Sequence, residues 1–190
     1  MRVKICGITT AEDARYAEEA GADAIGVVLF SDSPRSVPPE RARTIFASLG
    51  PFIARVAVTH TKSRRDLEEI LALGPDAIQI THPFEFPEGR PVKVLRVVKR
   101  GDAIPADCDA LVVDESCGSG TGFDPSFARD MVLRSARPVV LAGGLTPENV
   151  RAAIGRVRPY AVDVASGVED RPGVKNRSKV RAFVRAAREG

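Results

Sequence analysis

Apolar residues occur along this chain in short, nearly unbroken runs, and the stretches between them repeat their apolar positions at helical spacing. The runs predict strands at 3–6, 24–29, 53–58, 77–80, 92–97, 110–114, 139–142 and 161–164. Unbroken runs, as opposed to alternating ones, are what parallel strands covered on both faces require. The stretches between predict helices at 11–20, 39–48, 64–73, 125–134, 147–154 and 179–188. Thr146-Pro147-Glu148 reads as a helix start, with a capping hydroxyl, a proline at the first helical position and an acid in the first turn. Gly21 and Gly74 read as helix stops. Four segments, G-A-D-A-I-G-V-V, G-P-D-A-I-Q-I, D-C-D-A-L-V-V-D and R-P-Y-A-V-D-V, each enter an even-numbered strand through a turn and a small residue. They form a weak internal repeat, which either a repeated partial-barrel unit or shared turn chemistry would produce.

Eight strands alternating with helices imply a parallel α/β fold. The number eight favours a closed (βα)8 TIM barrel, one domain over residues 1–190, above an open doubly wound sheet. Two connections cannot hold a normal helix: T-H-P-F-E-F-P-E-G-R-P after the fourth strand and K-R-G-D-A-I-P-A-D-C-D after the fifth. Helices four and five are therefore expected to be short or replaced by loops.

Composition narrows the class. A 44% hydrophobic and 28% charged content is that of a globular protein, and no apolar run is long enough to span a bilayer. The first residues lack the shape of a signal peptide, so a cytoplasmic location is expected. The net charge of +3 is mild, with arginines interleaved among acids. Nucleic-acid binding is therefore not expected, while a small anionic substrate would suit the balance. Cys6, Cys108 and Cys117 make an odd count without a C-x-x-C pair, which fits reduced thiols and neither a disulfide framework nor a structural zinc site.

Chemistry in a parallel α/β fold gathers at the carboxyl ends of the strands. Cys6 ends the first strand and Asp114 the sixth; the loops after strands two, seven and eight carry Arg35, Gly143, Gly144, Ser166 and Gly167. Read locally, Cys6 fits a base, a nucleophile, a metal ligand or a small buried apolar residue. Strand alternation puts Lys4 on the same face as Cys6. The same count turns Arg55, Gln79, Arg96, Asp114 and Asp163 toward the barrel interior. Such lone polar groups need partners, and Lys4 with Asp163 is the expected pair. Lys4, Arg55 and Asp163 read as a structural polar plug, and compatibly with that a cation at Lys4 would favour the Cys6 thiolate.

L-A-G-G-L-T-P-E-N-V and D-V-A-S-G-V-E read as two phosphate-binding loops, because glycines and a helix start bring amides to an anion. Ordinary tight turns would give the same letters. D-E-S-C-G-S-G-T-G-F-D-P reads as a lid or a plain connection. Arg35, between prolines, suits carboxylate recognition, and a solvated arginine fits equally. His60 and His82 raise a metal site, as in metal-dependent sugar-phosphate epimerases, but neither has a carboxylate at ligand spacing. No metal and no cofactor is expected.

Together, K-I-C-G-I-T, S-P-R after the second strand, V-V-D before a G-S-G loop, L-A-G-G-L-T-P-E-N-V, and D-V-A-S-G-V-E followed by P-G-V-K resemble the phosphoribosylanthranilate isomerase family of tryptophan biosynthesis. The likeness runs through nearly the whole chain, in order. It implies an Amadori rearrangement of N-(5-phosphoribosyl)anthranilate, with Asp114 as general acid and Cys6 as general base. It further implies that Arg35 holds the anthranilate carboxylate and that amides around Gly143, Gly144, Ser166 and Gly167 hold the phosphate, with Asp163 also at the substrate. The expected assembly is a monomer or a homodimer. The chain departs from the family's pattern in Q-I-T-H-P, where Q-L-H-G is common, and in Asn176, where an Asp often stands. Two other readings stay open: a phosphosugar-binding relative without turnover, and a different phosphosugar isomerase or epimerase on the same barrel.

Overall fold

The computed structural model describes residues 1–86, 89–114 and 125–190. Eight parallel strands close into a barrel in chain order: β1 Arg2–Ile5, β2 Ala24–Leu29, β3 Ala54–Thr59, β4 Ala77–Ile80, β5 Lys93–Val98, β6 Ala110–Asp114, β7 Val139–Ala142 and β8 Ala161–Val164. Helices α1 Ala11–Glu19, α2 Pro39–Ala47 and α3 Arg64–Leu71 follow β1 to β3, and α4 Pro125–Arg134, α5 Val150–Val157 and α6 Arg177–Arg188 follow β6 to β8. Among the described residues no helix lies between β4 and β6, where proline and glycine break the pattern. A short ribbon, β9 Glu169–Arg171 with β10 Val174–Lys175, stands between β8 and α6 and was not predicted.

Two apolar layers hold the barrel. Ile5, Ile25, Ile78, Leu111 and Leu141 fill the space between sheet and helices, together with helix residues such as Leu67 and Phe183. Small and β-branched side chains fill the lumen, among them Val28, Val56, Ala77, Val140 and Ala161. Register decides which residue faces which layer, because paired residues on parallel strands point to the same side. Arg55 stands beside Ile25, and Arg96 stands between Ile80 and Leu111, all three in the outer layer. The expectation that Arg55 and Arg96 face the interior is therefore wrong. β3 and β5 are apolar on both faces, so a single arginine did not reveal its side. Each arginine runs its stem outward to an acid, Arg55 to Asp76 at 2.9 Å and Arg96 to Asp107 at 3.4 Å.

The internal repeat has a physical cause. Asp23, Asp76 and Asp109 stand just before β2, β4 and β6. Their carboxylates accept from Val3 N (2.8 Å), Arg55 N (2.8 Å) and Val94 N (2.9 Å) on the preceding strand. Their own amides donate to the carbonyls of those same three residues. Each aspartate thus ties off the amino-terminal end of one strand pair. The fourth segment has Tyr160 at this place, and only its amide takes part, donating to the Val139 carbonyl at 2.9 Å.

Two helix starts differ from the sequence reading: α5, and α6, which begins at Arg177 instead of Lys179. Regular helix α5 begins at Val150 instead of Pro147. Asn149 accounts for the shift: its Oδ1 accepts from Thr146 N (2.8 Å) and its Nδ2 donates to Gly144 O (2.9 Å), which folds 144–149 into a turn before the helix. Asn176, the family departure, caps α6 by accepting from Lys179 N at 2.9 Å. Asn and Asp cap helices about equally well, so this replacement preserves the local structure.

Candidate active site

A cavity of about 230 Å³ opens at the carboxyl-terminal end of the barrel. Cys6, Asp114, Asp163, Arg35, Ser166 and the Gly143–Gly144 pair all line it. Cys6 reaches it from just past β1, and Asp114 from the end of β6, three strands away around the barrel. The Lys4–Asp163 pair forms as expected, at 2.8 Å between directly paired residues of β1 and β8. Both are almost wholly buried.

Lys4 favours the Cys6 thiolate, as expected, but it does not decide the balance. Lys4 does lie near the thiol, yet the Cys6 pKa is raised: burial disfavours the thiolate more than Lys4 and Lys175 favour it, and Asp163 adds to the burial effect. Lys4 itself is held firmly protonated. Burial opposes its charge, but Asp163 and Cys6 together outweigh that cost.

Gly143 and Gly144 have φ of 89° and 60°, a left-handed backbone that glycine adopts without strain. Gly167 does not line the cavity; it sits behind Ser166, where a Cβ would lie 1.9 Å from the carbonyl oxygen of Leu145. The loops after β7 and β8 are thus in backbone contact, and glycine is what lets them close. Gly7 plays a similar part for Arg35. Its φ is 70°, and a Cβ there would meet Arg35 Cδ at 2.5 Å.

Arg35 is held by a residue the sequence reading did not single out. The Glu169 carboxylate accepts from Arg35 Nε (3.0 Å) and Nη2 (2.7 Å), from Lys175 Nζ (2.8 Å) and from Gly173 N (3.2 Å). Burial alone would raise the Glu169 pKa, but the two cations overcome it and hold the carboxylate below its usual range. Glu169 takes Nε–H and one N–H of Nη2; the outer edge, with one N–H from each Nη, has the fork geometry that matches a second carboxylate. Glu169 and Lys175 both fall within quoted motifs, D-V-A-S-G-V-E and P-G-V-K. The signal available was the turn-forming R-P-G between them, which folds them into the β9–β10 ribbon.

Among the described residues, four buried side-chain polar atoms lack a partner, and two of them, Gln79 Oε1 and Asp163 Oδ1, belong to residues of this cavity. His60 also lines it, with Nδ1 2.9 Å from Ser31 Oγ. His82 instead packs edge-on against Phe84, so the two histidines are not brought together. Cys117 and the glycine-rich segment read as a lid or connection lie at 115–124, outside the described residues.

A closed (βα)8 barrel with a thiol, a carboxyl and two glycine-bearing loops at its carboxyl-terminal mouth has the layout of a barrel enzyme. The sequence profile described as "N-(5'phosphoribosyl)anthranilate (PRA) isomerase" matches residues 3–186. A protein of that name from Methanoregula boonei is 63% identical over 190 residues, covering all of this chain and 97% of its own length. The same-named protein of Pseudomonas fluorescens strain Pf0-1 is 48% identical over 205 residues, covering 99% and 98%. The crystal structure of the Thermus thermophilus phosphoribosyl anthranilate isomerase superposes with a TM-score of 0.85 at 39% identity, covering 100% of this chain and 99% of that one. The chain belongs to the N-(5'-phosphoribosyl)anthranilate isomerase family of tryptophan biosynthesis, and it is an isomerase.

Proposed function

We propose that the protein converts N-(5-phosphoribosyl)anthranilate into 1-(2-carboxyphenylamino)-1-deoxyribulose 5-phosphate, with Asp114 as general acid and Cys6 as general base. A solved relative at 35% identity and TM-score 0.82 is described in complex with reduced 1-(o-carboxyphenylamino)-1-deoxyribulose 5-phosphate, the reduced form of that product. The observation that carries the residue roles is the entry of Cys6 and Asp114 into one cavity from separate walls.

Asp114 and Cys6 carry the first two proton transfers, and a proton shift from the C2′ hydroxyl to C1′ completes the reaction. Asp114 gives its proton to the ribose ring oxygen, the C1′–O bond breaks, and the anthranilate nitrogen takes up the positive charge as an iminium ion. The Cys6 thiolate then removes the C2′ proton, and the C2′–H electron pair neutralises the iminium to give an enol-amine. This tautomerises to the ketone. Arg35 would hold the anthranilate carboxylate on the edge Glu169 leaves open. The Gly143–Gly144 backbone and that of Ser166 would hold the phosphate, with Gly167 keeping the two loops in contact, and Asp163 Oδ1 would accept from a donor on the substrate. The enzyme is read as cytoplasmic, and as a monomer or homodimer.

The test is direct. Purified protein is mixed with N-(5-phosphoribosyl)anthranilate and the decay of anthranilate-derivative fluorescence is followed, with and without chelator. Turnover that survives chelator is expected. Absence of turnover would overturn the proposal, and loss of turnover with chelator would move it to a metal-dependent reaction.

A further inference from the structure

The Lys4–Asp163 pair accounts for one N–H of Lys4 and one oxygen of Asp163, and leaves the surroundings unexplained. An ammonium carries three donors. Cys6 follows Lys4 by two residues on the same strand face, so both side chains enter the lumen above β2. There Gly26 leaves a gap. A Cβ at Gly26 would lie 2.7 Å from Cys6 Sγ and 3.0 Å from Lys4 Nζ, so sulfur and ammonium share the space that the missing side chain vacates. A pair serving only as a structural plug needs neither that gap nor the thiol beside it.

We propose that Lys4 is a positioning residue for the base: across the gap at Gly26 it fixes the positive charge against which the Cys6 thiolate forms. This rests on the reading of Cys6 as general base. Asp163 keeps Lys4 charged and in place, and holds it by one oxygen only. The other cations close to Cys6 are committed elsewhere. Lys175 is bound to Glu169 and to the Ala165 carbonyl, and Arg35 is bound to Glu169. Asp114 and His60 face the same cavity from β6 and from the loop after β3. Among the charges that oppose the effect of burial on the thiol, Lys4 is the strongest. Without it, burial and the Asp163 charge would act on the thiol with little to offset them.

The experiment reads the thiolate separately from turnover. Lys4→Met is alkylated with iodoacetamide across a pH series, and modification is followed by mass spectrometry on the peptide carrying Cys6. The midpoint is expected to move up, with alkylation near neutral pH at least about tenfold slower than in the unsubstituted protein. The alkaline-going rise in kcat/KM is expected to move with it. If Lys4→Met fails to fold, the double variant Lys4→Met with Asp163→Asn removes both charges together, and its midpoint is expected to move in the same direction. An unmoved midpoint in whichever variant folds would overturn the role of Lys4, and turnover by the unsubstituted protein would leave the isomerase reading intact. A moved midpoint without turnover by the unsubstituted protein would sustain the charge effect and remove the reaction.

Discussion

The two ends of this barrel use similar residues for opposite purposes. At the amino-terminal end, Asp23, Asp76 and Asp109 spend their carboxylates on backbone amides and on neighbouring cations: Arg188, Arg55, and Arg90 with Lys93. A cavity of about 420 Å³ at this end, which Asp23 and Asp109 line, is walled largely by apolar residues such as Val56, Leu95 and Val140. At the carboxyl-terminal end, Asp163 and Gln79 each keep a buried oxygen without a partner, and Arg35 keeps one edge open. An unpaired buried polar atom costs free energy. Among the described residues Arg90 Nε and Arg96 Nε also lack a partner, but only the carboxyl-terminal cavity brings two such atoms to its lining. A carboxylate by itself says little about function; whether its hydrogen-bonding capacity is exhausted says more.

Substitutions at the two ends should separate turnover from stability. The largest effect is expected for Cys6→Ala and Asp114→Asn, each lowering kcat by about 10²–10⁴ with little change in thermal midpoint; retained activity in either would remove that residue from its role. Gly167→Ala comes next, because its Cβ would overlap the Leu145 carbonyl. About 1–3 kcal/mol of stability should be lost, together with competitive inhibition by inorganic phosphate. Intact phosphate inhibition would show that the two loops bind independently. At the other end, Asp109→Ala should cost about 1.5–3 kcal/mol by urea unfolding and leave kcat/KM unchanged. A loss of activity there would blur the division between the ends.

The amino-terminal end carries part of the acid limb of stability, alongside Glu169 at the other end. Burial alone would raise the Asp109 pKa, but Val94 N, Arg90 and Lys93 together bring it from 3.8 down to about 2. Asp76 is also lowered, chiefly by its hydrogen bond to Arg55. A carboxylate with a depressed folded-state pKa stabilises the fold above its unfolded value, and that stability is lost as pH falls through the folded value. Acid unfolding should therefore steepen below about pH 4 and run toward pH 2, and Asp109→Ala should flatten that part of a urea-midpoint series. The smallest effect is expected for Phe52→Ser. This ring is 98% exposed beside the amino-terminal end, and its loss should change monomer stability by under about 0.5 kcal/mol. A larger loss, with a lower sedimentation coefficient, would show that a second copy covers it.

Much of this was legible in the sequence because the barrel is written in unbroken apolar runs. The bounds of β2, β4, β6, β7 and β8 follow the pattern to the residue. Gly143, Gly144, Cys6 and Asp114 stand at or just past strand ends, where position alone points to the mouth of the barrel. Arg55 and Arg96 were misread because facing is set by register with neighbouring strands, which a single strand's letters do not contain. Glu169 went unremarked because its partners, Arg35 and Lys175, meet it only through the turn of a ribbon too short to leave a periodic signal. The repeat is legible as a turn, a small residue and an apolar run; that an aspartate recurs in three of the four segments is explained only by the backbone bonds it makes.

The contact of Gly167 with Leu145 reaches beyond this one molecule. Because the backbones of two successive loops touch, neither can be lengthened, swapped or mutated as an independent module. Anyone grafting a new specificity onto this scaffold should exchange 143–149 and 165–168 as a single cassette, and natural variation in one should be matched by variation in the other.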